Sequence, residues 1–293
     1  MHDLPTERPS VRLAVVGDVH LAFGPADVAR LDAGGYDAIL FVGDLGGYAQ
    51  RGALRVARYV RELTTRALVI PGNHDTVGAP QLVAELMQNE AAISLLGRGQ
   101  RERVETLRQQ ILPAELAGYS LHTLGDLTIV AARPHSFGGP RLAFRPYLDD
   151  AFGVGSLEAS AARLRALVDA AGSERLVFFA HNGPTGLGER RDDLWGCDFR
   201  RSEGDFGDPD LGEAIAHARS RNKRVLAVLA GHMHHQLRGR GTRRWLLERD
   251  GTLFVNAARV PRVFREGGRE KRHFVEVTID ADRAHAREVL FEP

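Results

Sequence analysis

The run Val11-Arg12-Leu13-Ala14-Val15-Val16-Gly17-Asp18-Val19-His20 decides the fold. A short, mostly apolar stretch ends on a glycine and then delivers a carboxylate and an imidazole. The same grammar returns four times. Ala38–Val42 leads into Gly43-Asp44-Leu45-Gly46, and Ala67–Ile70 into Pro71-Gly72-Asn73-His74-Asp75. Leu176–Ala180 leads into His181-Asn182-Gly183-Pro184, and Val225–Ala230 into Gly231-His232-Met233-His234-His235. Runs of this length, apolar on both faces and bounded by turn residues, predict strands covered on both sides. Each places Asp, Asn or His at the carboxyl end of a strand, where open α/β sheets build their sites.

Helical periods lie between the strands. Leu54, Ala57, Val60 and Leu63 share one face, and Pro80 opens a helix carrying Leu82, Val83, Leu86 and Met87. Ser156 caps a helix that Gly172 ends, and Asp208-Pro209 opens one bearing Leu211, Ile215 and Ala218. Further strands are predicted at Leu127–Ala132, Leu253–Val255, Phe274–Ile279 and Glu288–Phe291. The alternation means α/β. The helix-poor tail after Arg224 predicts hairpin pairing within mixed sheets. No linker interrupts residues 1–293, which read as one domain with elaborated loops at 98–118, polar and helical, and 182–207, Gly-rich and acidic.

Composition narrows the function. One Cys excludes an internal disulfide and a Cys-rich zinc module, and a 43% hydrophobic content supports a real core. Met1–Ser10 is polar, and no apolar run approaches the roughly 20 residues of a bilayer span, so a soluble, cytoplasmic protein with no membrane partner is expected. The net charge of +1 argues against coating nucleic acid along the whole chain. It conceals an asymmetry: Arg219–Arg272 holds 15 Lys/Arg against 4 Asp/Glu, an excess of +11 beside the Gly231–His235 turn, and the remainder carries −10. The 12 histidines are the anomaly.

Gly-Asp or Gly-Asn after one strand is ordinary turn chemistry. Five successive strand ends bearing ligand types are not. Asp18, His20, Asp44, Asn73, His181, His232 and His234 offer carboxylate, carboxamide and imidazole without thiolate. That donor set suits Mn²⁺, Fe²⁺, Zn²⁺ or Co²⁺. Seven donors exceed one tetrahedral ion and suffice for two ions sharing a carboxylate. Two divalent cations against Asp18 and Asp44 leave an electropositive site that favours an anionic substrate.

The order Asp-x-His, Gly-Asp, Gly-Asn-His-Asp, a later His, then Gly-His-x-His resembles the calcineurin-like metallophosphoesterases over Gly17–His234. Ala180–Gly186, Gly207–Asp210 and Asn256–Pro261 also resemble a little-characterised cyanobacterial and plastid-type subfamily. The resemblance implies an α/β/β/α sandwich of mixed sheets with a dimetal site at the strand carboxyl ends. It implies one ion on Asp18, His20, Asp44 and His234, and a second on Asp44, Asn73, His181 and His232, with Asp44 bridging. Manganese is the first expectation for both. A bridging hydroxide would attack phosphorus, Asn73 and His74 would contact the phosphate, and His74 would protonate the leaving oxygen. Many relatives carry an Asp three residues after the bridging Asp to orient that histidine. Here the position is Gly47, so either Asp75 or a loop carboxylate substitutes or catalysis is slower for poor leaving groups, and activated diesters are expected to outrun alkyl monoesters.

Arg133 and His135 follow another strand and are expected to reach over the metals and bind phosphate. His235 is expected to support the site without ligating, Cys197 to be incidental and Trp195 to pack on the core. His2, His122, His217, His273 and His285 read as surface or structural residues. The expected activity is hydrolysis of a phosphomonoester or diester, small or nucleotide-like. The alternatives are a nuclease of the same fold, which the basic stretch would serve, and a metal-binding, non-enzymatic interaction scaffold. No oligomeric state can be read from the chain.

Overall fold

The computed structural model describes residues 10–199 and 204–293. In chain order the elements are β1 (Val11–Val16), α1 (Pro25–Asp32), β2 (Ala38–Phe41), α2 (Gln50–Val60), β3 (Ala67–Val69), α3 (Ala79–Met87) and α4 (Glu90–Leu96). Next come α5 (Gln100–Ile111), β4 (Glu115–Leu116), β5 (Ser120–Leu124), β6 (Leu127–Ala131), α6 (Arg145–Phe152), α7 (Leu157–Ala170) and β7 (Arg175–Phe179). The chain continues with α8 (Pro209–Ser220), β8 (Arg224–Ala230), β9 (Leu246–Arg249), β10 (Thr252–Asn256), β11 (Val263–Glu266), β12 (Arg269–Ile279) and β13 (Ala284–Phe291).

The strands form two mixed sheets. One runs β11-β12-β1-β2-β3-β4, with β13 also on β12; the other runs β5-β6-β7-β8-β10-β9. β1, β2, β3 and β4 pair in parallel, as do β6, β7, β8 and β10, so their carboxyl ends point the same way within each sheet. The tail supplies the antiparallel part: β12 returns beside β1, pairing Val275 with Val15, and hairpins with β11 and β13.

Side-chain alternation explains why the early strands are apolar on both faces. Leu13, Leu40 and Leu68 point inward against Ile129, Val177 and Leu229 of the second sheet. Ala14, Ile39 and Phe41 point outward, under Leu31 of α1, Val56 and Val60 of α2 and Leu107 and Ile111 of α5. On the far side, Val130, Phe178 and Val228 meet Leu164 and Val168 of α7 and Leu211 and Ile215 of α8. The result is the helix, sheet, sheet, helix layering of the metallophosphoesterase fold.

Several elements differ from the sequence reading. β4, β5, β9 and β11 are short, partly exposed strands without an apolar run, and α1, α4 and α6 were likewise not anticipated. The 98–118 stretch holds α5, whose buried Val104, Leu107 and Ile111 pack on the first sheet, and then β4. Ser156 caps α7 by accepting from the Ala159 N–H, but Ala171, not Gly172, stands at its C-cap. Among the described residues of 182–207 no helix or strand forms, and bridges between Pro184 and Asp208 and between Gly196 and Asp205 tie the segment. His2, most of the polar N-terminal run and residues 200–203 of the acidic loop lie outside the described residues. Among the described residues, no helix is long and apolar enough to cross a membrane.

Candidate metal centre

Two groups of donors meet where the parallel strands of both sheets end. Asp18, His20 and His234 bring one atom each to within 4.8 Å of one another, and Asp44, His181 and His232 do the same. In the first group, His234 Nε2 lies 3.3 Å from Asp18 Oδ2 and 3.3 Å from His20 Nε2. In the second, Asn73 Oδ1 lies 2.9 Å from His181 Nε2. Asp44 stands between them, with Oδ2 3.8 Å from His20 Nε2 and Oδ1 3.7 Å from His181 Nε2.

The imidazoles are aimed by main-chain carbonyls. His181 Nδ1 donates to Val42 O at 2.6 Å, His20 Nδ1 to Gly46 O at 3.2 Å and His232 Nε2 to Phe137 O at 3.1 Å. Each bond fixes a tautomer and leaves the other ring nitrogen as a lone-pair donor, the usual arrangement of a ligating histidine. Asp18 Oδ2 is sealed from solvent without a well-formed hydrogen bond, facing the His234 ring. Two buried carboxylates, a carboxamide oxygen and converging imidazoles are a donor set that fits borderline divalent cations.

Charge tells the same story. Burial opposes ionisation of Asp18 and Asp44, yet the surrounding histidines hold both carboxyls below the usual range. Burial likewise disfavours charging His181 and His234, but Asp44 and Asp18 outweigh it and raise both rings. His232 goes the other way: burial and the adjacent His181 push it down to about 3, so it stays neutral.

The local backbone is built for this convergence. His20, Asp44 and His232 have φ of 40°, 51° and 69°, left-handed conformations that non-glycine residues hold only when the surroundings enforce them. At Gly72 a Cβ would sit 2.2 Å from Asp44 Oδ1, and at Gly231 2.4 Å from Asp18 Oδ1, so neither position admits a side chain. The buried Asp75 carboxylate accepts from Gly46 N and Gly72 N, both at 3.0 Å, and so ties two ligand turns together. Asn256, at the end of β10, donates to Met233 O at 2.7 Å, Trp195 Nε1 to Gly231 O at 3.1 Å and Arg243 Nε to His234 O at 3.1 Å. These supports of the last turn escaped the sequence reading, although Asn256 is one more polar residue ending an apolar strand.

His74 sits at the mouth. Its N–H reaches Asp44 Oδ1 at 2.9 Å, and its Nδ1 lies 3.0 Å from Gly47 O. The expected carboxylate partner is thus corrected: Asp75 is occupied by two backbone amides, and the carbonyl of Gly47 itself orients the ring. Tyr48 packs edge-on against His74 at 5.3 Å, and His20 does so at the same distance.

Arg133 and His135 do not face the opening. Arg133 is 1% exposed and spends its guanidinium on Asp210 Oδ2 and Asp208 Oδ1, each at 2.9 Å. Asp208 also holds Ser136 and Asn182, so this buried pair braces the turn that follows His181. His135 is fully buried, with Nδ1 on Gly72 O at 2.9 Å and N–H on Pro71 O at 2.7 Å. Both expected phosphate contacts are corrected to supports of the ligand turns. The cleft over the donors, about 280 Å³, is bounded instead by Tyr48, His74, Phe137, Gln236 and Arg238. The Arg238 guanidinium lies 5.5 Å over the Phe199 ring and pairs with no carboxylate among the described residues.

The remaining histidines among the described residues have structural partners. His235 is buried with Nε2 on Asn256 O at 2.8 Å, His122 pairs with Glu115 and His273 with Glu288. Cys197 is buried, and Trp195 is among the largest fully buried side chains.

Residues 11–236 match the calcineurin-like phosphoesterase family, and the chain belongs to it. Its fold and donor clusters are those of a metal-dependent phosphoesterase. Among solved structures, a dimetal phosphatase from Danio rerio superposes with a TM-score of 0.52 at 10% identity, over 96% of this chain and 99% of its own. A Thermus thermophilus protein gives 0.50 at 12% identity over 95% and 99%, and a further solved chain 0.55 at 11% over 97% and 100%. At these identities the likeness is one of fold. No curated protein matches the chain.

Proposed function

We propose that the protein hydrolyses phosphate esters at a dinuclear metal centre. The observation that carries the reading is Asp44: one oxygen faces each donor group, at 3.8 Å and 3.7 Å from the nearest imidazole nitrogens. Asp18, His20, Asp44 and His234 would hold one divalent ion, and Asp44, Asn73, His181 and His232 the other. Manganese is the first candidate, and iron, zinc and cobalt suit the same donors. Bound there, the ions supply Lewis acidity and an activated water.

The chain's own residues do the rest. Asp44 keeps the two donor groups in one frame, and the carbonyls of Val42, Gly46 and Phe137 keep the rings aimed. His74 offers Nε2 to the leaving oxygen, because its Nδ1–H is engaged by Gly47. Arg238, a rim cation whose main-chain N–H donates to Asp198 Oδ2 at 2.8 Å, attracts the anionic substrate through its guanidinium. The D. rerio neighbour, a dimetal phosphatase, supports this reading.

The test is a panel of phosphomonoesters and diesters with Mn²⁺, comparing wild type with Asp44→Asn and His74→Ala. Stoichiometric metal near two ions per chain and metal-stimulated turnover are expected. Unchanged activity in Asp44→Asn would refute the bridging role. Absence of both bound metal and metal-stimulated hydrolysis would favour the scaffold reading. Preferential cleavage of oligonucleotides, with binding that falls steeply with salt, would favour the nuclease.

A further inference from the structure

A second cleft, of about 480 Å³, adjoins the metal cleft and shares Leu86, Phe137 and Phe199 with it. Besides these three, its walls include Ile93 from α4, Leu142 from the loop after β6, and Phe206. Its size suits a small-molecule group. Three of its charged residues are exposed: Arg145 pairs with Glu90 at 2.9 Å, and Arg141 stands beside them on the cleft. Glu85, within the wall, accepts from Phe144 N, and burial pushes its carboxyl up to about 7.

The wall is fixed relative to the metal ligands. Phe137 O accepts from His232 Nε2 at 3.1 Å. Gly139 N donates to Phe206 O at 2.9 Å, and a Cβ at Gly138 would meet the Phe206 ring at 2.7 Å. The glycine pair is therefore packed against Phe206, which ties this part of the wall to the turn that carries Phe137. Leu86, at the junction, is 43% exposed, so apolar surface continues from one cleft into the other.

We propose that the substrate is a phosphoester carrying a bulky apolar ester group, which lies in this second cleft while its phosphate sits at the donor clusters. The inference rests on the phosphoesterase reading. A methyl ester would leave the apolar walls hydrated, whereas a ring-sized group covers Leu86, Leu142 and Phe206.

The experiment compares methyl p-nitrophenyl phosphate with 2-phenylethyl p-nitrophenyl phosphate on the Mn²⁺-loaded protein. Both expel p-nitrophenolate, so the bond broken and the leaving group are the same and only the retained alcohol differs. A kcat/KM on the order of tenfold or more higher for the phenylethyl ester, carried mostly by KM, is expected. The ratio should collapse toward one in Leu142→Asp and in Leu86→Asp; the second site is exposed and tolerates a charge without unfolding. Calorimetric titration of the metal-free protein with 2-phenylethyl phosphate and methyl phosphate gives an independent readout, with the same order expected. Equal kcat/KM for the two diesters in wild type would overturn the proposal, as would a preference that survives both substitutions. No hydrolysis of either diester or of p-nitrophenyl phosphate, with preferential binding of 2-phenylethyl phosphate retained, would overturn the phosphoesterase reading and leave the apolar subsite standing.

Discussion

The Nδ1 atom of His74 lies 3.0 Å from the carbonyl oxygen of Gly47, so a neutral backbone acceptor holds the ring at the mouth of the metal cleft. A carbonyl fixes the tautomer as well as a carboxylate does, but it stabilises a charged imidazolium less. Proton donation from His74 should then matter most where the leaving group is a poor one. His74→Ala should slow alkyl phosphates by about 10²–10⁴-fold and nitrophenyl esters far less, since nitrophenolate departs without a proton. A Cβ at Gly47 meets nothing within 4 Å, so Gly47→Asp is sterically open. It should raise the alkyl-to-nitrophenyl rate ratio. A leaving-group series measured on the three proteins checks both, and wild type turning over an alkyl monoester faster than bis(nitrophenyl) phosphate would contradict them.

Asp44 and Asp18 should fail differently. Asp44 faces both donor groups, whereas Asp18 approaches His234 at 3.3 Å and belongs to one. Metal analysis of Asp44→Asn should show loss of both ions, and of Asp18→Asn loss of about one. Metal bound to the native state alone stabilises it by about 2.7 kcal/mol at a hundredfold excess over Kd. A chelator should therefore lower the Tm of wild type markedly and that of Asp44→Asn little. Equal metal content in the two variants would count against a shared carboxylate.

The strand-end residues were legible because each is local: an apolar run, a turn glycine and a donor lie within a few positions, as in Val11–His20. The α/β class followed from the same runs, since Leu13 and Ala14 must bury opposite faces, whereas the two-sheet sandwich followed from the family resemblance. What supports the turns was not legible. Arg133 meets carboxylates more than seventy positions away, and nothing near it in sequence announces that Asp208 and Asp210 will close over it. The edge strand Ser120–Leu124 alternates weakly, because His122 is buried by pairing with Glu115 rather than by an apolar neighbour. Arg238 has no ion-pair partner among the described residues, so its place on the cleft rim is visible only in three dimensions.

Arg133 separates a bracing role from a substrate-binding one. Burial and Asp210 already push the Asp208 carboxyl up to about 6 despite the nearby guanidinium. Arg133→Met would leave two buried carboxyls without their cation, which costs on the order of 3–5 kcal/mol. The deficit should be largest at pH 7.5 and shrink by pH 5, where Asp208 can take up a proton. Adding Asp210→Asn should recover part of it. Urea unfolding measures all three. A variant with wild-type stability and a raised KM would instead restore Arg133 as a phosphate contact.

Glu85 gives the opposite kind of test, in which a substitution stabilises. Burial raises its carboxyl from 4.5 to about 7, with the Phe144 N–H only partly offsetting this. The native state thus keeps a proton that the unfolded chain has released, and the unfolded chain binds fewer protons. The stability that this group contributes must therefore fall as pH rises from 4.5 through 7, and stay level above that. Gln accepts the same Phe144 N–H and has no proton to lose. Glu85→Gln should match wild type at pH 4 and exceed it at pH 8 by on the order of 1 kcal/mol, a figure reduced because the group is only partly buried. Urea denaturation across this range, at a fixed chelator concentration to remove metal linkage, reads the difference. Parallel stability curves for the two proteins would show that Glu85 ionises as freely in the fold as in water.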